Sequence, residues 1–264
     1  MLRQVPEFRL YFGTLTFLLG LCMGSFLNCM AWRIVHGERI TRGRSHCDVC
    51  GHVLTAGELI PVVSFLAHRG RCRWCGTKLS ARHVLCELSC GVSYALLLLK
   101  FDLSLQALQA LLLASVLLAS AFADLEGMII PDRFILAGIV LCVPFWLLPD
   151  RLTDLPDALL GGFAVGGGLL AVVLVYERLR GVEAMGGGDL KLLFVTGLYL
   201  GWARNLLCLL LACLFGIAFS LAAARTRRAG GEAKQFPFGP AICAAGIVTL
   251  LCGNEIIGAY LGLF

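Results

Sequence analysis

The sequence predicts an all-α polytopic membrane protein of about eight transmembrane helices, with a small cytoplasmic four-cysteine zinc-binding insert between helices 1 and 2. Three observations carry this fold class. Of 264 residues, 59% are apolar and 15% charged, with mean hydropathy +0.86, whereas a soluble domain is roughly 25% charged. The apolar residues gather into runs long enough to cross a bilayer at about 20 residues per span. The basic residues gather in alternate loops between those runs. A water-soluble globule, a disordered chain, collagen and coiled coil are excluded on the same grounds.

In chain order the runs are 12–32, 84–101, 103–123, 134–148, 158–176, 190–202, 205–224 and 238–264. The fourth and sixth are short and the eighth is long, so seven or eight crossings fit. No small-residue cleavage site follows the first run, which reads as a span and not as a removable signal. The fifth run holds Gly161, Gly162, Gly166, Gly167 and Gly168, expected to pack closely on another helix; no strand precedes them, as a nucleotide-binding loop would need. With eight spans, 17 of the 22 basic residues fall on one side and five (Arg3, Arg9, Lys100, Arg151, Arg204) on the other. The richer side is expected to be cytoplasmic, with both termini outside. The net charge of +5 is thus a topology signal; the expected partner is the lipid bilayer, with no nucleic acid. Three units follow: 1–32, the first transmembrane helix; 33–83, the insert; and 84–264, the transmembrane core.

The insert carries the sharpest local motif. Cys47-Asp48-Val49-Cys50 and Cys72-Arg73-Trp74-Cys75 are each trailed by a glycine, Gly51 and Gly76, which permits a tight turn. Two such pairs predict a closed, structural Zn2+ site on Cys47, Cys50, Cys72 and Cys75. Cytoplasmic thiols stay reduced, which favours a metal over disulfides. So short a segment buries little core, and the metal supplies folding energy. The other nine cysteines lie in apolar runs and read as small hydrophobes. His46 and His52 read as surface residues, and His36, His68 and His83 show no partner signal.

Most carboxylates lie in loops where water solvates them; two stand at the hydrocarbon edge. Asp124 closes the third run, and Asp189 opens the sixth within Met185-Gly186-Gly187-Gly188-Asp189-Leu190-Lys191. Both fall at the same expected depth on different helices, and a carboxylate there is a functional candidate by default. A helix N-cap also fits Asp189, and a snorkelling helix end also fits Asp124. Together they suit an aspartic protease dyad sharing one proton, one carboxylate activating water and the other protonating the carbonyl or leaving amine. Asp189, near a helix N-terminus, is expected to be the base and Asp124 the proton holder. Gly186, Gly187 and Gly188 would let an extended peptide approach. Lys191 either snorkels or tunes the pair, Glu126 reads as a loop residue, Asp132 as a helix cap, and Glu87 as needing Arg82 or Arg33. Glu255 is expected near the outer surface.

These pieces, in order, resemble the bacterial type IV prepilin peptidases, membrane aspartic proteases of the Gly-x-Gly-Asp class. The matching stretches are Gly24-Ser25-Phe26-Leu27-Asn28, the paired Cys-x-x-Cys insert, Ile60-Pro61-Val62-Val63-Ser64-Phe65-Leu66 and Arg69-Gly70-Arg71-Cys72. Asp124 with Ile130-Pro131-Asp132, Met185 to Lys191, and Phe236-Pro237-Phe238-Gly239-Pro240 complete the set. The resemblance implies cleavage of short basic leaders from type IV prepilins or type II secretion pseudopilins at the cytoplasmic face of the bacterial inner membrane. It places the catalytic aspartates at Asp124 and Asp189. It also implies N-methylation of the new N-terminal Phe with S-adenosylmethionine, linked to Gly70 and Arg71. The chain departs from the common pattern at Asp48, often Pro, and at Glu58-Leu59, where Asn often precedes the Ile-Pro.

Two other functions fit parts of the pattern. A transporter using both aspartates for protons or cations predicts acidic groups deep within spans and two related halves, and the sequence has neither. A non-catalytic pilus-assembly protein leaves the glycines before Asp189 unexplained.

Overall fold

A computed structural model describes residues 6–40, 43–47, 49–182, 185–226 and 237–262. Asp48, Phe236 and the basic residues Arg3, Arg42, Arg227, Arg228 and Lys234 lie outside them. Nine helices are labelled below. Helix α1, Pro6–Val35, spans 30 residues, about 45 Å at 1.5 Å per residue. The insert follows, with a 3-10 turn at Ala56–Leu59 and the short α2, Val63–Ala67. Then come α3 (Arg82–Phe101), α4 (Leu105–Gly127), α5 (Asp132–Cys142), α6 (Leu155–Leu160), α7 (Gly168–Arg180), α8 (Gly187–Thr226) and α9 (Gly239–Leu261).

Among the described residues, six helical segments are long and apolar enough to cross a membrane: Glu7–Val35, Arg82–Phe101, Leu105–Gly127, Leu155–Arg180, Gly187–Ala222 and Gly239–Leu261. The chain is therefore a multi-pass membrane protein. The other expected runs also fold as helix. The fourth forms α5 and the 3-10 turn Val143–Leu147, together too short for that length. The sixth and seventh share α8, which is interrupted at Gly201 (φ 74°, ψ 179°). Asn205 Nδ2 donates to the Leu193 carbonyl at 3.1 Å, and Thr196 Oγ1 donates to Asn205 Oδ1 at 2.7 Å. Twelve residues of unbroken helix would separate the first pair by about 18 Å. The chain thus reverses at Gly201 into two antiparallel arms, 187–200 and 202–226.

Small residues set the helix contacts. A Cβ on Gly20 would stand 2.7 Å from Gly91 Cα, and one on Gly24 would stand 2.8 Å from Glu87 Cα, so α1 and α3 touch backbone to backbone. The fifth run packs as expected: α6 continues through a π-helical stretch, Gly161–Gly167, whose Gly161 lies against Gly197 and Gly201 of α8. Helix α4 is the central element, with Leu113, Leu117, Ala114 and Ala123 fully enclosed among α1, α3, α8 and α9. Leu18, Leu19, Phe163, Val172, Leu210 and Leu214 face outward, as side chains against lipid do.

Candidate active site and metal centre

Three helix ends meet at one end of the bundle. Asp124 lies in the last turn of α4, which stops where Met128 adopts a left-handed conformation (φ 55°) and its N–H returns to the Asp124 carbonyl at 2.8 Å. Its side chain is buried, 6% exposed. Asp189 lies in the first turn of α8, its N–H donating to the Gly186 carbonyl at 3.1 Å. It is thus the third residue of the helix and not its N-cap. The start of α8 packs at Gly188 against Ile130, just beyond the end of α4, so both carboxylates stand at the same end of the bundle. Two of the three glycines before Asp189 are spatial requirements: a Cβ on Gly188 would stand 2.9 Å from Ile130 Cβ, and one on Gly186 would stand 3.1 Å from Asp189 Oδ2, while Gly187 has open space around it.

The third end belongs to α9, and its role was missed from sequence. Gly239 N–H donates to Asp124 Oδ2 at 2.7 Å, and a Cβ there would stand 2.7 Å from the same oxygen. Only glycine brings this N-terminal amide so close. Each carboxylate therefore lies at a helix N-terminus, Asp124 at that of α9 and Asp189 at that of α8, where the helix dipole presents its positive end. The Phe-Pro-Phe-Gly-Pro string was the available signal, but nothing local says which side chain its amide meets.

Four neighbouring expectations are corrected. Lys191 pairs with Asp132 at 2.6 Å and not with the aspartate pair. Asp132 is not a cap: Pro131 holds that position and makes no side-chain cap. Glu126 is helical, in the last turn of α4, and binds Arg82, whose guanidinium also donates to the Phe122 carbonyl at 3.0 Å. Glu87 pairs with neither Arg82 nor Arg33. Its Oε2 accepts the Val62 N–H at 2.8 Å, while Arg33 donates to the Ile40 and Gly43 carbonyls. Glu255 pairs with Lys100 at the opposite end of the bundle.

In the insert, the Cys47, Cys50, Cys72 and Cys75 Sγ atoms all lie within 4.8 Å of one another, Cys47 to Cys75 at 3.9 Å. A tetrahedron with metal–sulfur bonds of about 2.3 Å has edges of about 3.8 Å, so the four can hold a metal ion. Two matching turns build the group. Cys47 N–H donates to His52 O and Cys72 N–H to Thr77 O, both at 2.9 Å, and Gly51 (φ 70°) and Gly76 (φ 69°) close the turns. So many thiols cannot all ionise without a cation among them. The Cys75 and Trp74 backbone N–H groups draw the Cys72 thiol down to about 7. Cys75, despite its bond with the Thr77 backbone, is pushed up to about 11 by desolvation and the neighbouring thiols. His52 packs against Trp74 with ring centroids 4.2 Å apart and the planes tilted by 34°, so it is a packing residue.

Beside the four cysteines, a cavity of about 270 Å³ opens between α1, the insert and the start of α3. Arg71 lines it. Gly70 (φ 67°) precedes Arg71 at a point where a Cβ would stand 2.9 Å from the Phe65 ring. Asn28 and His83, hydrogen-bonded at 2.9 Å, join two of its walls. No local pattern around His83 pointed to this partner, which lies 55 residues away.

Comparison with known proteins matches both halves of this arrangement. Residues 18–101 match the bacterial peptidase A24 N-terminal domain, and residues 111–221 match the type IV leader peptidase family. Relatives named prepilin leader peptidase/N-methyltransferase include one from Pseudomonas putida, 32% identical, with 96% of this chain and 95% of the relative covered. One from Aeromonas salmonicida is 35% identical over 96% of this chain and 94% of the relative, and one from Bacillus subtilis is 31% identical over 94% and 97%. No solved structure matches. The chain belongs to the type IV leader peptidase family, the peptidase A24 enzymes that include the prepilin leader peptidase/N-methyltransferases.

Proposed function

We propose that this chain is a membrane aspartic endopeptidase that removes the short basic leader of type IV prepilins or type II secretion pseudopilins, and that it N-methylates the Phe so exposed. The observation that carries the first activity is that Asp124 and Asp189 stand at adjoining ends of α4 and α8, with the Gly239 amide on Asp124. Two adjacent carboxylates share one proton because both cannot ionise freely. The ionised member takes a proton from water as it attacks the scissile carbonyl, and the protonated member donates its own to the carbonyl oxygen; on collapse of the diol the first gives water's proton to the leaving amine while the second takes a proton back from the diol. The Gly239 amide and the α8 N-terminus hold the residual negative charge throughout. Gly186, Gly187 and Gly188, without side chains, leave room for an extended substrate backbone beside Asp189. Lys191 acts at a distance, by holding Asp132 at the start of α5.

The charge distribution supports a cytoplasmic placement of this end of the bundle in the inner membrane. There a substrate whose basic leader is cytoplasmic and whose apolar segment spans the membrane presents its junction, with lateral access between helices. We assign residues 33–83 as the unit associated with methyl transfer, with Zn2+ on Cys47, Cys50, Cys72 and Cys75 supplying the folding energy that its small core lacks. S-adenosylmethionine supplies an electrophilic methyl group when bound, and Gly70 and Arg71 belong to its side of the chain. The test follows leader cleavage and methyl incorporation together, on a prepilin-like substrate in membranes carrying wild type, Asp124→Asn or Asp189→Asn. Loss of cleavage with methylation of precut substrate intact supports two separate sites. Cleavage surviving either substitution refutes the dyad.

A further inference from the structure

The cavity beside the cysteines contains a buried carboxyl group that no cationic side chain pairs with among the described residues. Glu87 lines it and is 8% exposed. Its Oε2 accepts the Val62 N–H, and its other oxygen has no hydrogen-bond or ion-pair partner among the described residues. The two nearby guanidinium groups expected to neutralise it are committed elsewhere, Arg82 to Glu126 and the Phe122 carbonyl, Arg33 to two insert carbonyls. A buried carboxylate is costly unless a cation meets it. The contact that fixes it is strained: Val62, β-branched, sits at φ 61° and ψ −49°, a region such residues rarely enter. Backbone strain of this kind is retained where surrounding structure serves a function.

The remaining lining is mixed in charge: besides Arg71 it holds Arg33, Arg44 and Arg73 and the carboxylates Glu38 and Glu58. Arg71 supplies a guanidinium for an anionic group, while Trp32 and Phe65 supply aromatic surface. The volume, about 270 Å³, falls just below the roughly 300–1,000 Å³ of small-molecule sites. A positive centre, a carboxylate and a flat aromatic base joined in one small molecule describe S-adenosylmethionine. We propose that this cavity is the methyl-donor site, with Glu87 the carboxylate that meets the donor's positive charge and Arg71 the cation that meets its carboxylate. This rests on the two-activity reading above. It also explains why the metal site borders the cavity: Cys47 and Cys72 form part of its wall, so the metal fixes the shape of the donor site.

The experiment measures binding, not turnover. Full-length protein purified in detergent is titrated with labelled S-adenosylmethionine by equilibrium dialysis, for wild type, Glu87→Gln, Glu87→Asp and Arg71→Ala. Metal content and gel-filtration profile verify each fold, and Arg71→Ala carries the test if Glu87→Gln fails to fold. The expected result is at least a tenfold weaker Kd for Glu87→Gln and for Arg71→Ala, equivalent to about 1.4 kcal/mol, with part of the affinity recovered in Glu87→Asp. Saturable binding by Glu87→Gln within threefold of wild type overturns the site while leaving the two-activity reading intact. No saturable binding by wild type overturns both. A short Phe-initiated peptide with a free amine is the second probe; if Glu87→Gln weakens its binding and spares S-adenosylmethionine, the assignment to the donor is wrong.

Discussion

Gly239→Ala is the substitution on which the geometry speaks most directly. The added methyl would stand 2.7 Å from Asp124 Oδ2, 3.0 Å from its Cβ and 3.2 Å from its Cγ. Carbon contacts are comfortable from about 3.5 Å, so the carboxylate must retreat by about 0.8 Å or α9 must lift. Either movement breaks the 2.7 Å bond from the Gly239 amide. A hydrogen bond to a charged group contributes about 1.5–3 kcal/mol, and misplacement of a reacting group by about 1 Å costs on the order of 10²-fold in rate. These describe one displacement and are not summed. The expected result is a fall in kcat of roughly 10²-fold with KM within about threefold, read from cleavage of a prepilin-like peptide in detergent micelles. Gly168→Ala is the matched control, because no heavy atom lies within 4 Å of a Cβ there; it should cleave as wild type. A Gly239→Ala enzyme within threefold of the wild-type kcat refutes the reasoning, as does a loss accounted for wholly by a smaller folded fraction.

Removing the metal with a chelator, or replacing Cys72 by Ser, should empty the four-cysteine site and unfold the insert, because metal binding and folding are one equilibrium there. Metal analysis and protease sensitivity of residues 33–83 check this. Arg82→Met should cost about 1–2 kcal/mol, since it removes a half-buried pair with Glu126 and the bond to the Phe122 carbonyl two residues before Asp124. Thermal unfolding measures that cost, and a double-mutant cycle with Glu126→Gln isolates the pair. Arg82→Lys should recover only part of it, because an ammonium lacks the guanidinium fork.

What could be read in advance was local in the chain. The metal site needs only two Cys-x-x-Cys-Gly turns, each closed by its own backbone bonds. The depth of Asp124 and Asp189 follows from counting apolar residues to each helix end. Pairing across the fold was not legible. Gly239 lies 115 residues from Asp124, and nothing near it in sequence indicates which carboxylate its amide will meet. Glu87 invited an arginine on charge alone, yet Arg82 binds Glu126 because α3 begins beside the end of α4. Lys191 stands two residues from Asp189, but that spacing puts them on different helix faces, and its partner is Asp132 on α5. Gly201 could be marked as a boundary between runs, while the reversal there depends on Asn205 reaching back to Leu193 and Gly161.

The claim on which everything else rests is that Asp124 and Asp189 work as one unit. The direct measurement is the single-turnover cleavage rate of a prepilin-like substrate by wild type, Asp124→Asn, Asp189→Asn and the double variant, at equal folded protein. The account predicts that each single substitution lowers the rate by at least about 10³-fold and that the double variant is no worse than either, as for residues that act together. Appreciable cleavage by either single variant, or losses that multiply in the double variant, would contradict it.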